Sequence, residues 1–212
     1  AAIVAAGEGA GLTTAGNEKV DEIPYDFLRR RLTIVVAPDE TPGRHLVVTK
    51  GSFENVLAVC ATVQVNGGEI PLDDARRADL AAFCAARGQD GYRVLAVASR
   101  GIEARPRYGH DVEQAMVFRG FLSFLDPPKA DAAQTLAALA ARGIRVKVIS
   151  GDSRYVTAHV ARSVGLDASA MLTGAELGTL RDEALWHLAP RTDLFVEIDP
   201  QQKERIVRAL QR

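Results

Sequence analysis

The sequence predicts an α/β protein built in two halves, and three observations carry that expectation. β-Branched runs stand out early, as in Leu32-Thr33-Ile34-Val35-Val36 and His45-Leu46-Val47-Val48-Thr49, separated by Pro38, Pro42 and Gly43. Beyond about residue 120, short apolar runs alternate with helix-like stretches of about 10–15 residues, the rhythm of βαβ units on a parallel sheet. Of the 212 residues, 47% are hydrophobic, enough to fill a core and too many for a disordered chain.

Charge and cysteine content narrow the classes further. Lys and Arg number 26 against 27 Asp and Glu, a net charge of -1, so there is no electrostatic footprint for nucleic acid or an anionic membrane. The apolar run Gly120–Leu125 stops at Asp126, far short of the ~20 residues needed to cross a bilayer, so direct membrane insertion is not expected. Cys60 and Cys84 sit in alanine- and valine-rich, helix-like surroundings and read as buried structural thiols. With no basic, signal-like opening and no initiator Met, the chain reads as an intracellular piece of a longer protein.

The elements follow in order. The small, Gly-rich opening from Ala1 to Gly16 reads as the end of an element and a loose loop. The two β-branched runs are strands. Ser52 can cap a short helix reaching about Cys60, with Glu54 in its first turn. Asn66-Gly67-Gly68 marks a hairpin turn. A helix is expected from Leu72 to Arg87, stopped by Gly88, then a strand over Arg93 to Ser99 and another over Val117 to Leu125. The second half predicts a helix from Pro127 to Ala141, a strand over Ile144 to Ile149 and a helix from Ser153 to Val164. It continues with a short element at Met171-Leu172, a helix to Leu188, a strand over Leu194 to Ile198 and a helix from Pro200 to Leu210. A mixed α+β domain over 1–119 thus precedes a Rossmann-like domain over 120–212.

Three strand ends in the second half carry candidate chemistry. Ile149 leads into Ser150-Gly151-Asp152, which offers a hydroxyl, backbone N–H groups and a carboxylate beside a helix start, where a phosphoryl group could sit. Asp152 could equally be a helix cap. Asp126 precedes Pro127-Pro128 at another strand end and could equally cap a proline-started helix. Lys203 follows Asp199-Pro200 near the start of the last helix, as a point-charge phosphate binder or a solvated lysine. In the first half, Tyr25, Arg30, Lys50-Gly51 and Arg93 combine a ring, two guanidinium groups and an ammonium near a glycine, a set able to bind a nucleotide by stacking and charge. His45, His110, His159 and His187 show no ligand spacing, and no metal site is expected within the chain.

In this order, the motifs resemble the cytoplasmic head of a P-type cation-transporting ATPase. Ile23-Pro24-Tyr25-Asp26-Phe27-Leu28-Arg29-Arg30-Arg31-Leu32 resembles the nucleotide-domain segment with its adenine-stacking aromatic, represented here by Tyr25. Lys50-Gly51-Ser52-Phe53-Glu54 resembles that domain's KGAPE motif, and Gly91-Tyr92-Arg93-Val94-Leu95-Ala96-Val97-Ala98 the strand with its nucleotide-binding arginine. Asp126-Pro127-Pro128-Lys129, Ser150-Gly151-Asp152-Ser153 and Asp199-Pro200-Gln201-Gln202-Lys203 resemble DPPK, TGD and P-x-x-K of the phosphorylation domain. Asp21 to Phe27, Gly120 to Asp126 and Ser153 resemble the bacterial magnesium-importing branch.

The resemblance implies a nucleotide-binding domain followed by part of a haloacid-dehalogenase-like phosphorylation domain. It implies ATP as ligand at Tyr25, Arg30, Lys50, Gly51 and Arg93, and a phosphate pocket at Ser150, Gly151, Asp152 and Lys203, with Asp126 at interdomain contacts. Neither DKTGT nor GDGxND occurs, so the phosphorylated aspartate and the Mg²⁺ ligands are expected outside the chain, which alone should be inactive. The implied partners are the remaining actuator, phosphorylation and transmembrane parts of the parent, at the cytoplasmic face of the bacterial inner membrane, with this segment itself soluble. Ser150 replaces the usual threonine and keeps its hydroxyl; Glu197 stands where many relatives place an arginine. The alternatives are another cation such as Ca²⁺, or a stand-alone nucleotide-binding module. A haloacid-dehalogenase-type phosphatase would need an aspartate nucleophile, and Asp126 is trapped in Asp-Pro-Pro without the usual D-x-D.

Overall fold

The two β-branched runs become neighbours. In the computed structural model, which describes residues 2–211, they form β2 (Arg31–Pro38) and β3 (Arg44–Gly51), antiparallel with Thr33 opposite Thr49 and Val35 opposite Val47. Those four residues are fully buried, the period-two signature of a sheet with one face on the core. Ala1, first residue of the small-residue opening, and Arg212, last of the expected second domain, lie outside the described residues.

The described residues group into two units, one running to Arg77 and resuming over Leu95–Leu122, the other comprising Ala78–Val94 and the chain from Ser123 onward. The chain opens with α1 (Ala2–Gly9). The first unit then adds β1 (Asn17–Ile23), α2 (Phe53–Leu57) and the hairpin β4 (Cys60–Val65) and β5 (Gly68–Pro71). Asn66 and Gly67 turn that hairpin with positive φ at both positions, the geometry the Asn-Gly-Gly signal demands. With α3 (Asp74–Gln89), β6 (Tyr92–Glu103) and β7 (Met116–Leu125), the strands order as β1-β2-β3-β6-β7-β4-β5. Pairing is antiparallel at β1–β2, β2–β3, β3–β6 and β4–β5 and parallel at β4–β7.

One strand is added to those expected, and two expectations change. β1 is a strand although Asn-Glu-Lys-Val-Asp-Glu-Ile has poor β propensity; it is an edge strand, where charge is tolerated because one side faces water. The helix after Ser52 ends at Leu57, and Cys60 opens β4 instead of lying in a helix; Cys60 is buried, and burial pushes its thiol pKa up to about 11. Gly88 does not stop α3, which runs to Gln89. A Cβ at Gly88 would lie 2.8 Å from the Tyr155 Cβ, so this glycine permits a close approach within the helix.

The second unit holds α4 (Ala132–Ala141), β8 (Val148–Ile149), α5 (Arg154–Ser163), β9 (Met171–Thr173), α6 (Gly174–Thr179), α7 (Asp182–Leu188), β10 (Leu194–Val196) and α8 (Pro200–Leu210). The sheet order is β8-β10-β9, parallel throughout. Side chains alternate across β10: Leu194 packs with Ala158 and Ala161 of α5, while Phe195 packs with Leu177, Leu185 and Ile206 of α6, α7 and α8. Helices therefore cover both faces of the sheet.

Four boundaries move in this unit. α4 begins at Ala132; it cannot begin at Pro127, because Pro128 disfavours the α conformation in the residue before it. The strand expected over Ile144 to Ile149 shortens to Val148-Ile149, which pairs with β10. The strand expected to Ile198 ends at Val196. The helix expected to run to Leu188 splits into α6 and α7 at Leu180, whose ψ of 142° is extended.

Candidate nucleotide and phosphate sites

In the first unit, strand register brings two distant motifs together. Arg31 pairs with Gly51 and Leu32 with Lys50, and the Ser52 N–H donates to the Arg30 carbonyl at 3.0 Å. Gly51 must be glycine: a Cβ would lie 2.6 Å from the Arg31 Cβ and closer still to the Arg30 carbonyl oxygen. Arg30 takes a left-handed φ of 47°, turning the chain from the loop into β2. Lys50 is exposed at the end of β3.

The loop before β2 presents apolar surface. Tyr25 is 49% exposed, Phe27 62% and Leu28 94%; the two rings meet edge to face with centroids 5.6 Å apart. Asp26 organises the loop from inside, accepting from the Leu28 N–H at 2.9 Å and the Arg29 N–H at 2.6 Å, and pairing with the Arg29 guanidinium. The Arg29 backbone N–H is the foremost reason the Asp26 carboxyl is held below its usual pKa. Arg29 also donates to the Pro24 carbonyl at 2.8 Å.

Beneath this loop lies a carboxylate that the sequence does not flag. The Glu113 side chain is 0% exposed, and both of its oxygens accept from Arg29 Nη1, at 2.6 and 2.7 Å. It also accepts from Arg31 Nε at 2.9 Å and Thr33 Oγ1 at 2.6 Å. Burial pushes the Glu113 pKa up, but the hydrogen bonds from Arg29, Thr33 and Arg31 outweigh it and hold the carboxyl below its ordinary value.

In the second unit, parallel pairing puts the carboxyl ends of β8, β9 and β10 on one edge of the sheet. Ser150 follows β8; its N–H donates to the Phe195 carbonyl at 2.9 Å, and its carbonyl accepts from the Ile198 N–H at 3.0 Å. The Ser150 hydroxyl is 3.1 Å from Asp152 Oδ2 and accepts from the Asp152 N–H at 3.1 Å. Ser153, not Asp152, caps α5, accepting from the Val156 N–H at 3.4 Å, so the capping alternative for Asp152 is set aside. Asp152 instead pairs with Arg93, at the start of β6. Gly151 is exposed, and a Cβ there would lie 3.3 Å from the Ile198 carbonyl oxygen.

Lys203 lies exposed in the first turn of α8, whose start is fixed by a capping box between Asp199 and Gln202 and by Pro200. Gln202 Nε2 also donates to the Gly174 carbonyl at 2.8 Å, tying α8 to the segment after β9. Asp126 is exposed in the extended segment between β7 and α4; the N-cap of α4 is Asp131, so the capping alternative for Asp126 falls with the shortened helix. Glu197 has a φ of 60° and pairs with Arg154 at 3.2 Å.

Beside Ser150 and Asp152 opens a cavity of about 280 Å³, with apolar walls that include Leu136, Val148, Val156, Val160 and Leu166. Thr157 also lines it, and its buried hydroxyl has no hydrogen-bond partner among the described residues. Among the described residues no group of three or more His, Cys, Asp and Glu converges as a metal site, and no helix is long and apolar enough to cross a membrane.

The expected residues thus fall into two groups: Tyr25, Arg30, Lys50 and Gly51 in the first unit, and Arg93, Ser150, Gly151, Asp152 and Lys203 in the second, with Asp126 on a separate segment. The sequence reading passes over Phe27, Arg29, Arg31, Glu113 and Arg154. The Arg29-Arg30-Arg31 run was the available signal for two of them; Glu113, in a polar stretch without periodicity, offered none.

A mixed sheet in the first unit, with an exposed ring-bearing loop leading into β2 and a Lys-Gly end on β3, and a parallel sheet whose β8 leads into Ser-Gly-Asp define an α/β protein. Residues 1–131 match the family profile for P-type ATPase, cytoplasmic domain N. The chain belongs to the P-type ATPase family. It is 43% identical, over 92% of its length, to the Magnesium-transporting ATPase, P-type 1, of Escherichia coli K12, and equally so to that of Salmonella typhimurium. Calcium-transporting ATPase 1 of Bacillus cereus is 25% identical over the same share of the chain. The chain spans about a fifth of these relatives, 22% of their own length.

Proposed function

We propose that this chain is the ATP-binding head of a magnesium-transporting P-type ATPase, with a nucleotide-binding domain over 1–119 and part of the phosphorylation domain over 120–212. The observation that carries the reading is the β2–β3 register, which pairs Lys50-Gly51 with Leu32 and Arg31, just after Arg30 and the loop that bears the exposed rings of residues 25 and 27. Adenine would stack on an exposed ring, with Tyr25 and Phe27 both available, while Arg30 and Lys50 would meet the phosphates. Gly51 supports this by letting the backbone close up behind the ligand. Arg93 would contribute a further guanidinium once released from Asp152.

Ser150, Gly151 and Asp152, with Lys203, would receive the phosphoryl group through a hydroxyl, backbone N–H groups and an ammonium, and Asp126 would contact phosphate or nucleotide between domains. The γ-phosphoryl acceptor and the ligands for Mg²⁺ would lie elsewhere in the whole ATPase, and phosphorylation there would drive cation transport at the bacterial inner membrane. Identity to magnesium transporters above that to a calcium transporter favours Mg²⁺ over Ca²⁺ as cargo.

Calorimetric titration with ATP tests the reading. Saturable binding should weaken about tenfold, or about 1.4 kcal/mol, in Lys50→Ala, with no ATP turnover. A folded chain that binds no ATP, or one that hydrolyses it at an enzymatic rate, would contradict it.

A further inference from the structure

We propose that Glu113 is a positioning residue for nucleotide binding: from beneath the sheet it holds both halves of the nucleotide site in register without touching the ligand. The inference rests on the nucleotide-binding reading above and goes beyond it by assigning a role to a residue remote in sequence from every motif of that site.

Four segments hang from this one carboxylate. Through Arg29, whose guanidinium also binds Asp26 and the Pro24 carbonyl, it anchors the loop bearing Tyr25 and Phe27. Through Arg31 it reaches β2 and, by Arg31 Nη1 donating to the Asn55 carbonyl at 3.1 Å, the helix that follows Lys50-Gly51. Through Thr33, which donates to Glu113 and so accepts from Thr49 at 2.7 Å, it reaches β3 one residue before Lys50. The ring-bearing loop and the Lys-Gly strand end therefore share one buried support.

The chemistry of that support is geometric before it is energetic. A buried ion pair is often no more stabilising than apolar packing of the same volume, because desolvation offsets the attraction. What two forked guanidinium groups on a carboxylate do supply is direction: the donors sit in a plane and accept few alternative arrangements. Asp26 and the Pro24 carbonyl bind the loop to itself, while Tyr25, Phe27 and Leu28 face outward, so the Arg29–Glu113 pair is a side-chain link from the loop to the sheet. Without Glu113, Arg29 would keep Asp26 but lose its link to the sheet, and the loop would sample conformations in which ring and lysine no longer face one ligand. Binding would then carry the ordering cost that the buried carboxylate now removes in advance.

The test is an ATP titration of the 212-residue chain as wild type, Glu113→Gln, Arg29→Ala, the double variant and Lys50→Ala, with amide hydrogen exchange on each. Glu113→Gln keeps the shape and removes the charge; it should bind ATP about tenfold more weakly, a change of about 1.4 kcal/mol. Arg29→Ala should lose a similar factor, and the double variant no more than either, because the two act as one unit. Exchange should rise at the Leu28, Arg29 and Arg30 amides while β3 stays protected, and saturating ATP should restore the loop. A folded Glu113→Gln with wild-type affinity, or losses that add fully in the double variant, would overturn the proposal while leaving the nucleotide reading intact. Wild-type chain that fails to bind ATP would sink that reading and the proposal with it. Should Glu113→Gln not fold, Arg29→Ala decides, and unchanged affinity there overturns the proposal.

Discussion

Charged groups near the candidate sites are held in opposite ways in the two units. In the first, Glu113 is fully enclosed and its arginine partners nearly so, and the network crosses more than 80 residues of sequence. In the second, the pairs Arg93–Asp152 and Arg154–Glu197 lie at the surface, at the ends of short strands, where water and salt screen them. Attraction between charges grows as the surrounding dielectric falls, so the first arrangement fixes geometry and the second leaves it exchangeable. A loop proposed to present rings to a ligand is served by fixed geometry. Groups proposed to meet a phosphoryl, such as Asp152, are served by a surface partner that can be displaced, as Arg93 can.

The largest expected effect that separates the two units is the loss of one carboxylate from each. Glu113→Ala should destabilise the first unit by about 3 kcal/mol in urea denaturation, because Arg29 and Arg31, largely shielded from water, lose the carboxylate they share and keep only Asp26 and backbone carbonyls. Glu197→Ala should cost about 1 kcal/mol or less, since its partner can turn to water. Equal losses would erase the distinction.

Glycine positions sharpen the comparison at the next scale. Gly51→Ala and Gly88→Ala should each destabilise by about 1–3 kcal/mol through overpacking, the second despite alanine's better helix propensity. Only Gly51→Ala should also weaken ATP binding, read by the same calorimetric titration, because only it displaces the Arg30 backbone.

Acid separates the units more gently. Burial raises the Glu113 pKa, and its three donors outweigh that and hold it low; Asp193 is lowered first by the hydrogen bond from Arg145, against burial, and then by Lys147. A carboxyl held low in the folded state adds stability that is complete above its unfolded value, about 3.9 for Asp and 4.3 for Glu, and lost as pH falls through the folded value. Wild type should therefore lose stability below about pH 4.5, and Glu113→Gln should flatten that limb more than Asp193→Asn, as measured by urea midpoints against pH. The smallest effect is expected for Arg93→Ala, about 1 kcal/mol or less and vanishing in 1 M salt, where screening acts over about 3 Å.

Much of this was legible in the sequence, and the rest was hidden for identifiable reasons. The β2 and β3 runs, the Asn-Gly turn, the starts of α5 and α8 and the parallel second sheet follow from local pattern, whereas the cap of α5 is Ser153 and not Asp152. β1 escaped because an edge strand need not be apolar, and Gly88 misled because a helix-stopping residue can also admit a close neighbour such as Tyr155. Strand length in the second unit was overestimated because apolar character in Ile144 to Val146 does not by itself supply a pairing partner. At the sites, Lys50-Gly51 and Ser150-Gly151-Asp152 could be read from strand-end chemistry, whereas Glu113 could not: its role depends on three donors brought from β2 and the preceding loop, a relation visible only once the sheet is folded.

In the proposed reading, the first unit receives the nucleotide at the loop before β2 and at the Lys50-Gly51 end of β3. Amide chemical-shift mapping during ATP addition tests it most directly. Shifts should concentrate at residues 24–31 and 50–52, saturate with one affinity and be attenuated together in Lys50→Ala. Shifts confined to residues 150–153 and 203, or none in a well-folded chain, would contradict it.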